Sequence, residues 1–131
     1  MPVTAAELAG TPLVAREPGS GTRRALEEAL QAAAGTRGAP PTMELGSATA
    51  VREAVRAGLG PAVLSSLAVE TDLADGRLLA VRIAGLDLGR QLRAVWAGSP
   101  ALPAGPARDL LALAARLGQS AARSAPASAA R

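Results

Sequence analysis

At 131 residues the chain has the length of one domain with a modest core, and its single aromatic residue, Trp96, leaves that core to Ala, Leu and Val. It has no Cys and no His, which removes disulfides, thiolate chemistry, the common general base and the commonest metal ligand. The net charge of +3 points first to nucleic acid, but twelve Arg face eleven carboxylates up to Leu117, and the other two Arg, Arg123 and Arg131, lie in the tail. Without a basic stripe or stacking aromatics there is little footprint for DNA or RNA. The start, Met1-Pro2-Val3-Thr4, lacks a basic, apolar leader, and no run reaches the length of a membrane span, so the expectation is a soluble cytoplasmic protein.

The lead-in, Met1 to Gly10, holds one helical turn around Thr4 to Ala9. A first strand follows over Thr11 to Glu17, with Pro12 at its start, where a missing N–H is tolerated. Pro18-Gly19-Ser20-Gly21-Thr22 is a turn that feeds a helix over about Thr22 to Ala34, with Ala25, Leu26, Ala29, Leu30 and Ala33 on one face. Thr42 to Leu45 is a second strand. Gly46-Ser47-Ala48-Thr49 repeats the glycine–hydroxyl–helix device, and its helix runs to about Ala57 with Val51, Ala54 and Val55 inward. Leu59 to Leu64 reads as a third strand buried on both faces. Ser65 or Ser66 then caps a helix carrying Leu67, Val69 and Leu73. Leu78 to Ile83 is a fourth strand and Gln91 to Ala97 a half-buried fifth. A last helix starts near Pro106, with Leu110, Leu113, Ala114 and Leu117 on one face. Residues 118–131, rich in Ala, Ser and Arg, read as a disordered tail. The strand–helix alternation means an α/β fold with a mainly parallel sheet flanked by helices.

The turn before the first long helix has two readings. Its amides and the helix dipole suit an anion or a polar ligand head, or Ser20 and Thr22 simply cap their own helix. Ser47 and Thr49 carry the same two readings. Arg16 and Arg23 have the charge for an anionic ligand, or pair with Glu17 and Glu27. Catalysis finds no support. Ser20 lies in Gly-Ser-Gly without the full nucleophile-elbow pattern or a His to activate it. A nucleotide-phosphate loop needs a Gly-Lys pair, and the chain has no Lys; a dinucleotide fingerprint fails at Arg24. The carboxylates are scattered, so no metal, cofactor or catalytic residue is expected.

Six motifs in order carry a resemblance: Pro12 to Arg23 with its Glu-Pro-Gly-Ser-Gly-Thr-Arg turn, Leu45 to Val51, Val55 to Gly60, Ala62 to Ser65, Leu67 to Val69, and Gly76 to Leu79. Together they resemble the C-terminal part of the effector-binding domain of LysR-type transcriptional regulators. The turn is most similar to the subgroup that includes regulators of cysteine and sulfite metabolism. The resemblance implies one lobe, plus a returning segment, of a type II periplasmic-binding-protein-like domain. Residues 1–117 would form the partial effector domain, with 11–84 as the second lobe and 90–117 as the segment returning to the first. It implies a small, anionic effector in a cleft between lobes, contacted by Ser20, Gly21, Thr22, Ser47 and Thr49. The other partners it implies are further regulator subunits, as dimer or tetramer. Direct DNA contact from this segment is not implied, nor is a membrane. The winged helix-turn-helix and the first half of the first lobe are not expected in this chain. The alternatives are a lobe of a solute-binding protein, a dimerisation or interaction fragment that binds no ligand, and a small enzyme, which the lack of His and Cys disfavours.

Overall fold

A parallel crossover sets the architecture. In the computed structural model, which describes residues 2–90 and 92–124 (side chains to residue 119), strand β2 (Val14–Arg16) lies parallel to β3 (Met43–Leu45). Val14 pairs with Met43 and Arg16 with Leu45. The 14-residue helix α2 (Gly21–Ala34) makes the crossover, ending at Gly35, whose φ of 70° lets its N–H reach the Gln31 carbonyl at 3.2 Å. Two short elements precede it. Strand β1 (Val3–Thr4) runs into helix α1 (Ala5–Ala9), which opens with a reciprocal cap: the Glu7 N–H donates to the Thr4 hydroxyl, and the Thr4 N–H donates to the Glu7 carboxylate. After β3 come α3 (Ala48–Arg56), α4 (Ser66–Ala74) and β4 (Ile83–Ala84), which pairs parallel with β1. These elements belong to a compact unit of residues 1–90.

Alternation along β2 divides the core in two. Leu13 packs into a cluster built on Leu8, Ala9 and Leu30, under α1 and α2. Its neighbour Val14 points the other way, into a cluster with Val51 and Ala54 under α3. A strand buried on both faces is what a parallel βαβ unit requires. On α2 the buried stripe is narrower than its apolar pattern: Leu30 is buried and Leu26 and Ala34 pack on the cluster, while Ala33 is exposed. On α4, Val69 is buried and Leu67 is exposed.

Three expected strands differ. Residues 59–64 form no ladder, although the Val14 N–H donates to the Pro61 carbonyl at 2.9 Å and Ala62 and Leu64 pack on the Val14–Val51 cluster. Pro61 has no N–H to return, and Gly60 stands at φ 144°, off the extended path. Of the expected strand 78–83 only Ile83 is paired, because β1 offers two residues; Leu79 and Val81 are exposed. The second unit, residues 91–131, holds no strand among its described residues. Leu92 and Val95 there are exposed, and Gln91 lies outside the described residues. An alternating pattern without a neighbouring strand forms no ladder. Helix α5 (Pro106–Ser124) starts where Pro106 predicts, with Leu110, Leu113 and Leu117 exposed. It runs to Ser124, where composition led to the expectation of a tail from Gly118, because Gln119, Ala121, Ala122 and Arg123 are good helix formers. Residues 125–131 of that expected tail lie outside the described residues.

Candidate functional site

The parallel register brings the ends of β2 and β3 side by side, and each strand turns into the start of a helix. The Glu17 N–H donates to the Leu45 carbonyl at 3.1 Å, carrying the ladder one step past β2. Gly19 at φ 92° allows the sharp turn that follows, closed by the Ser20 N–H on the Glu17 carbonyl at 3.2 Å. Ser20 is the N-cap of α2 and is 7% exposed. Its hydroxyl accepts from the Arg23 N–H at 3.4 Å, and its carbonyl accepts from the Arg24 N–H at 2.9 Å. On the next strand Ser47 caps α3, accepting from the Ala50 N–H at 3.1 Å, and is exposed.

Both serine hydroxyls are therefore committed to their own helices. The first amides of each helix are not: among the described residues, the N–H groups of Gly21, Thr22, Ala48 and Thr49 meet no acceptor. Such orphan donors carry the positive end of the helix dipole. All five residues singled out from the sequence thus stand at two helix starts on the carboxyl ends of neighbouring parallel strands.

The charged neighbours are mostly paired. Arg16 grips Glu17 with two bonds, of 2.8 and 3.0 Å, which holds the Glu17 carboxyl below its ordinary pKa. Arg23 joins three elements: it meets Glu27 at 2.8 Å, Glu44 of β3 at 2.7 Å and the Arg16 carbonyl at 2.9 Å. Glu27, then Glu44, raise its pKa. Pairing, rather than ligand neutralisation, is what occupies both residues. Arg90 is different. Its Nη1 lies 2.9 Å from where a Cβ on Gly21 would sit, and it has no ion pair among the described residues. The Arg90 guanidinium thus stands close to the start of α2. No local pattern links residues so far apart in the chain.

A second residue escaped the sequence reading. Asp72 is 5% exposed on α4, ringed by Arg52 and Arg56 of α3 and by Arg77. An acid sharing the helix face of Val69 and Leu73 was the available signal. A cleft of about 50 Å³ lies on the other side of the sheet, between α1, α2 and residues 37–41. Leu8, Leu13, Leu26 and Leu30 line it with Arg37, and none of the five site residues does. Among the described residues no group of His, Cys, Asp or Glu is arranged to hold a metal, and no helix is long and apolar enough to cross a membrane.

The family model described as the LysR substrate binding domain matches residues 1–118. The chain belongs to that family. Its fold is accordingly that of a type II periplasmic-binding-protein-like α/β domain, here with parallel strands flanked by helices, and the family is one of ligand-binding domains, not enzymes. Over 111 residues the chain is 59% identical to an uncharacterized HTH-type transcriptional regulator of Mycobacterium tuberculosis, covering 83% of this chain and 36% of that one. It is 42% identical over 106 residues to the HTH-type transcriptional regulator CbbR of Xanthobacter flavus, covering 80% and 32%. It is also 40% identical over 114 residues to the phosphonates import ATP-binding protein PhnC of Anaeromyxobacter dehalogenans, covering 86% and 23%. The chain spans about a third of the length of the regulators it matches.

Proposed function

We propose that this chain is the effector-sensing part of a LysR-type transcriptional regulator, and that its two helix starts bind a small anionic effector. The amides of Gly21 and Thr22 and the Thr22 hydroxyl would hold the anion, with Ser20 shaping the turn and with Ser47 and Thr49 contributing from the neighbouring one. One observation carries the reading. Among the described residues, N–H groups without an acceptor open two helices on adjacent parallel strands, and the Arg90 guanidinium, with no ion pair there, adds a full positive charge beside Gly21. A crevice at the carboxyl ends of such strands is where open α/β sheets take ligands.

On this reading residues 11–84 are the second lobe and 90–117 the segment that returns to the first, whose contact would cover the exposed Leu110, Leu113 and Leu117. The regulator works in the cytoplasm as a dimer or tetramer, and effector binding biases two lobe arrangements. This segment touches neither DNA nor membrane. The Glu17-to-Arg23 turn makes sulfite and sulfate the first oxyanions to test. The relative named for phosphonate import adds methylphosphonate.

The test is thermal shift of the full-length protein against sulfite, sulfate, methylphosphonate and small carboxylates. A bound anion raises the melting temperature in proportion to the logarithm of its concentration, and Thr22→Val abolishes the rise. No shift with any of these anions would leave the helix starts as caps only, the interaction-fragment reading.

A further inference from the structure

Asp72 presents a problem of electrostatics. A carboxylate removed from water is costly unless it is compensated, and an apolar side chain of similar size would often serve a helix interface as well. Here three guanidinium groups surround it. Arg52 Nε stands at 3.6 Å and Arg56 Nε at 3.7 Å, both from α3, and Arg77 Nη1 at 3.8 Å from the turn that follows α4. Each arginine has a second acid: Glu53 for Arg52 and Arg56, at 3.3 and 3.1 Å, and Asp75 for Arg77. The Asp72 carbonyl also accepts from the Arg77 N–H at 2.8 Å and the Leu78 N–H at 3.1 Å, which fixes the turn carrying the third guanidinium.

The apolar seam between α3 and α4 is thin. Val69 is the one buried hydrophobic residue of α4, and Leu67 is exposed. On α3 the buried Val51 and Ala54 bind the helix to the sheet, and rotation about that contact is opposed by the charges at Arg52 and Arg56. The far end of this nine-residue helix is the Ser47 cap. A helix is rigid over such a length, so a shift at Arg56 is carried to Ala48 and Thr49.

We propose that Asp72 is a positioning residue: by holding Arg52 and Arg56 it sets the angle of α3 and with it the aim of the amides of Ala48 and Thr49. Its importance for ligand binding rests on the effector reading above; its control of α3 does not.

Two variants of the full-length protein test it, read by amide hydrogen exchange. In Asp72→Asn the Ala50 and Val51 amides, which close the α3 cap, exchange about tenfold faster, while Arg23 and Arg24 at the α2 cap change less than about twofold. Asp72→Leu separates position from stability. It replaces the charge with apolar contact, so its melting temperature stays near that of the parent, yet the α3 cap still exchanges about tenfold faster. Equal acceleration at both caps, no acceleration at either, or a parent-like α3 cap in Asp72→Leu would overturn the proposal. A sulfate titration of the same proteins reads the other question. If the parent binds sulfate, Asp72→Leu binds it about tenfold more weakly. If the parent binds none of the anions tested, the effector reading fails while the exchange result still decides the role of Asp72.

Discussion

At the start of α2 the capping serine is buried and ionic contacts gather beside its cap; at the start of α3 the capping serine is exposed and the ionic contacts lie at the other end. Arg23, in the first turn of α2, reaches Glu27, Glu44 and the Arg16 carbonyl, so helix, both strands and the turn are tied at one point. On α3 no ion pair among the described residues stands beside Ser47, and the ionic contacts gather at Arg52 and Arg56. Two helix starts that look alike in sequence are therefore held by opposite means. One has its ionic contacts at the start; the other is packed there by Val51 and has its ionic contacts at the far end.

Breaking the local anchor has the largest expected effect. Arg23→Met removes three charge-assisted or part-buried bonds and costs roughly 1–2 kcal/mol of stability, measured by urea denaturation. Glu44→Gln in the same background adds little further, because its partner is already gone. The capping hydroxyls come next. Ser20→Ala leaves the part-buried Arg23 N–H without its acceptor and costs about 1–2 kcal/mol, while at the exposed Ser47 water replaces the hydroxyl and the cost is about 0.5–1 kcal/mol. Equal costs would erase the contrast between the two caps.

The comparison also shows what sequence can and cannot report. Ser20 and Ser47 were legible as caps because a hydroxyl just before an amphipathic run is a local signal, and β2, α2, β3 and α3 follow from runs of the same kind. The segments 59–64, 78–83 and 92–97 misled because an apolar or alternating pattern reports burial, whereas a strand exists only through a partner. Pro61 cannot donate, β1 supplies two residues, and 92–97 has no neighbouring strand among the described residues of its own unit. The site was half legible for the same reason. The helix starts could be read locally, but the approach of Arg90 to Gly21 and the convergence on Asp72 are tertiary facts.

The smallest expected effect is acidic. The Arg16 side chain holds the Glu17 carboxyl below its usual value, and the Thr4 backbone and hydroxyl do the same for Glu7. A carboxyl whose folded pKa is depressed contributes stability that is present above its unfolded value, near 4.5, and lost as the pH falls through the folded value. Melting temperature should thus slip slightly below pH 4.5, and Glu7→Gln should flatten part of that slope.

The bond from Val14 to Pro61, single among the described residues, gives the sheet a seam of one stitch. On its β3 side β2 is sewn residue by residue, whereas on this side, among the described residues, one backbone hydrogen bond and the packing of Ala62 and Leu64 join it to the chain leading into α4. Deuterium uptake at Val14 therefore reads how readily that stretch parts from β2.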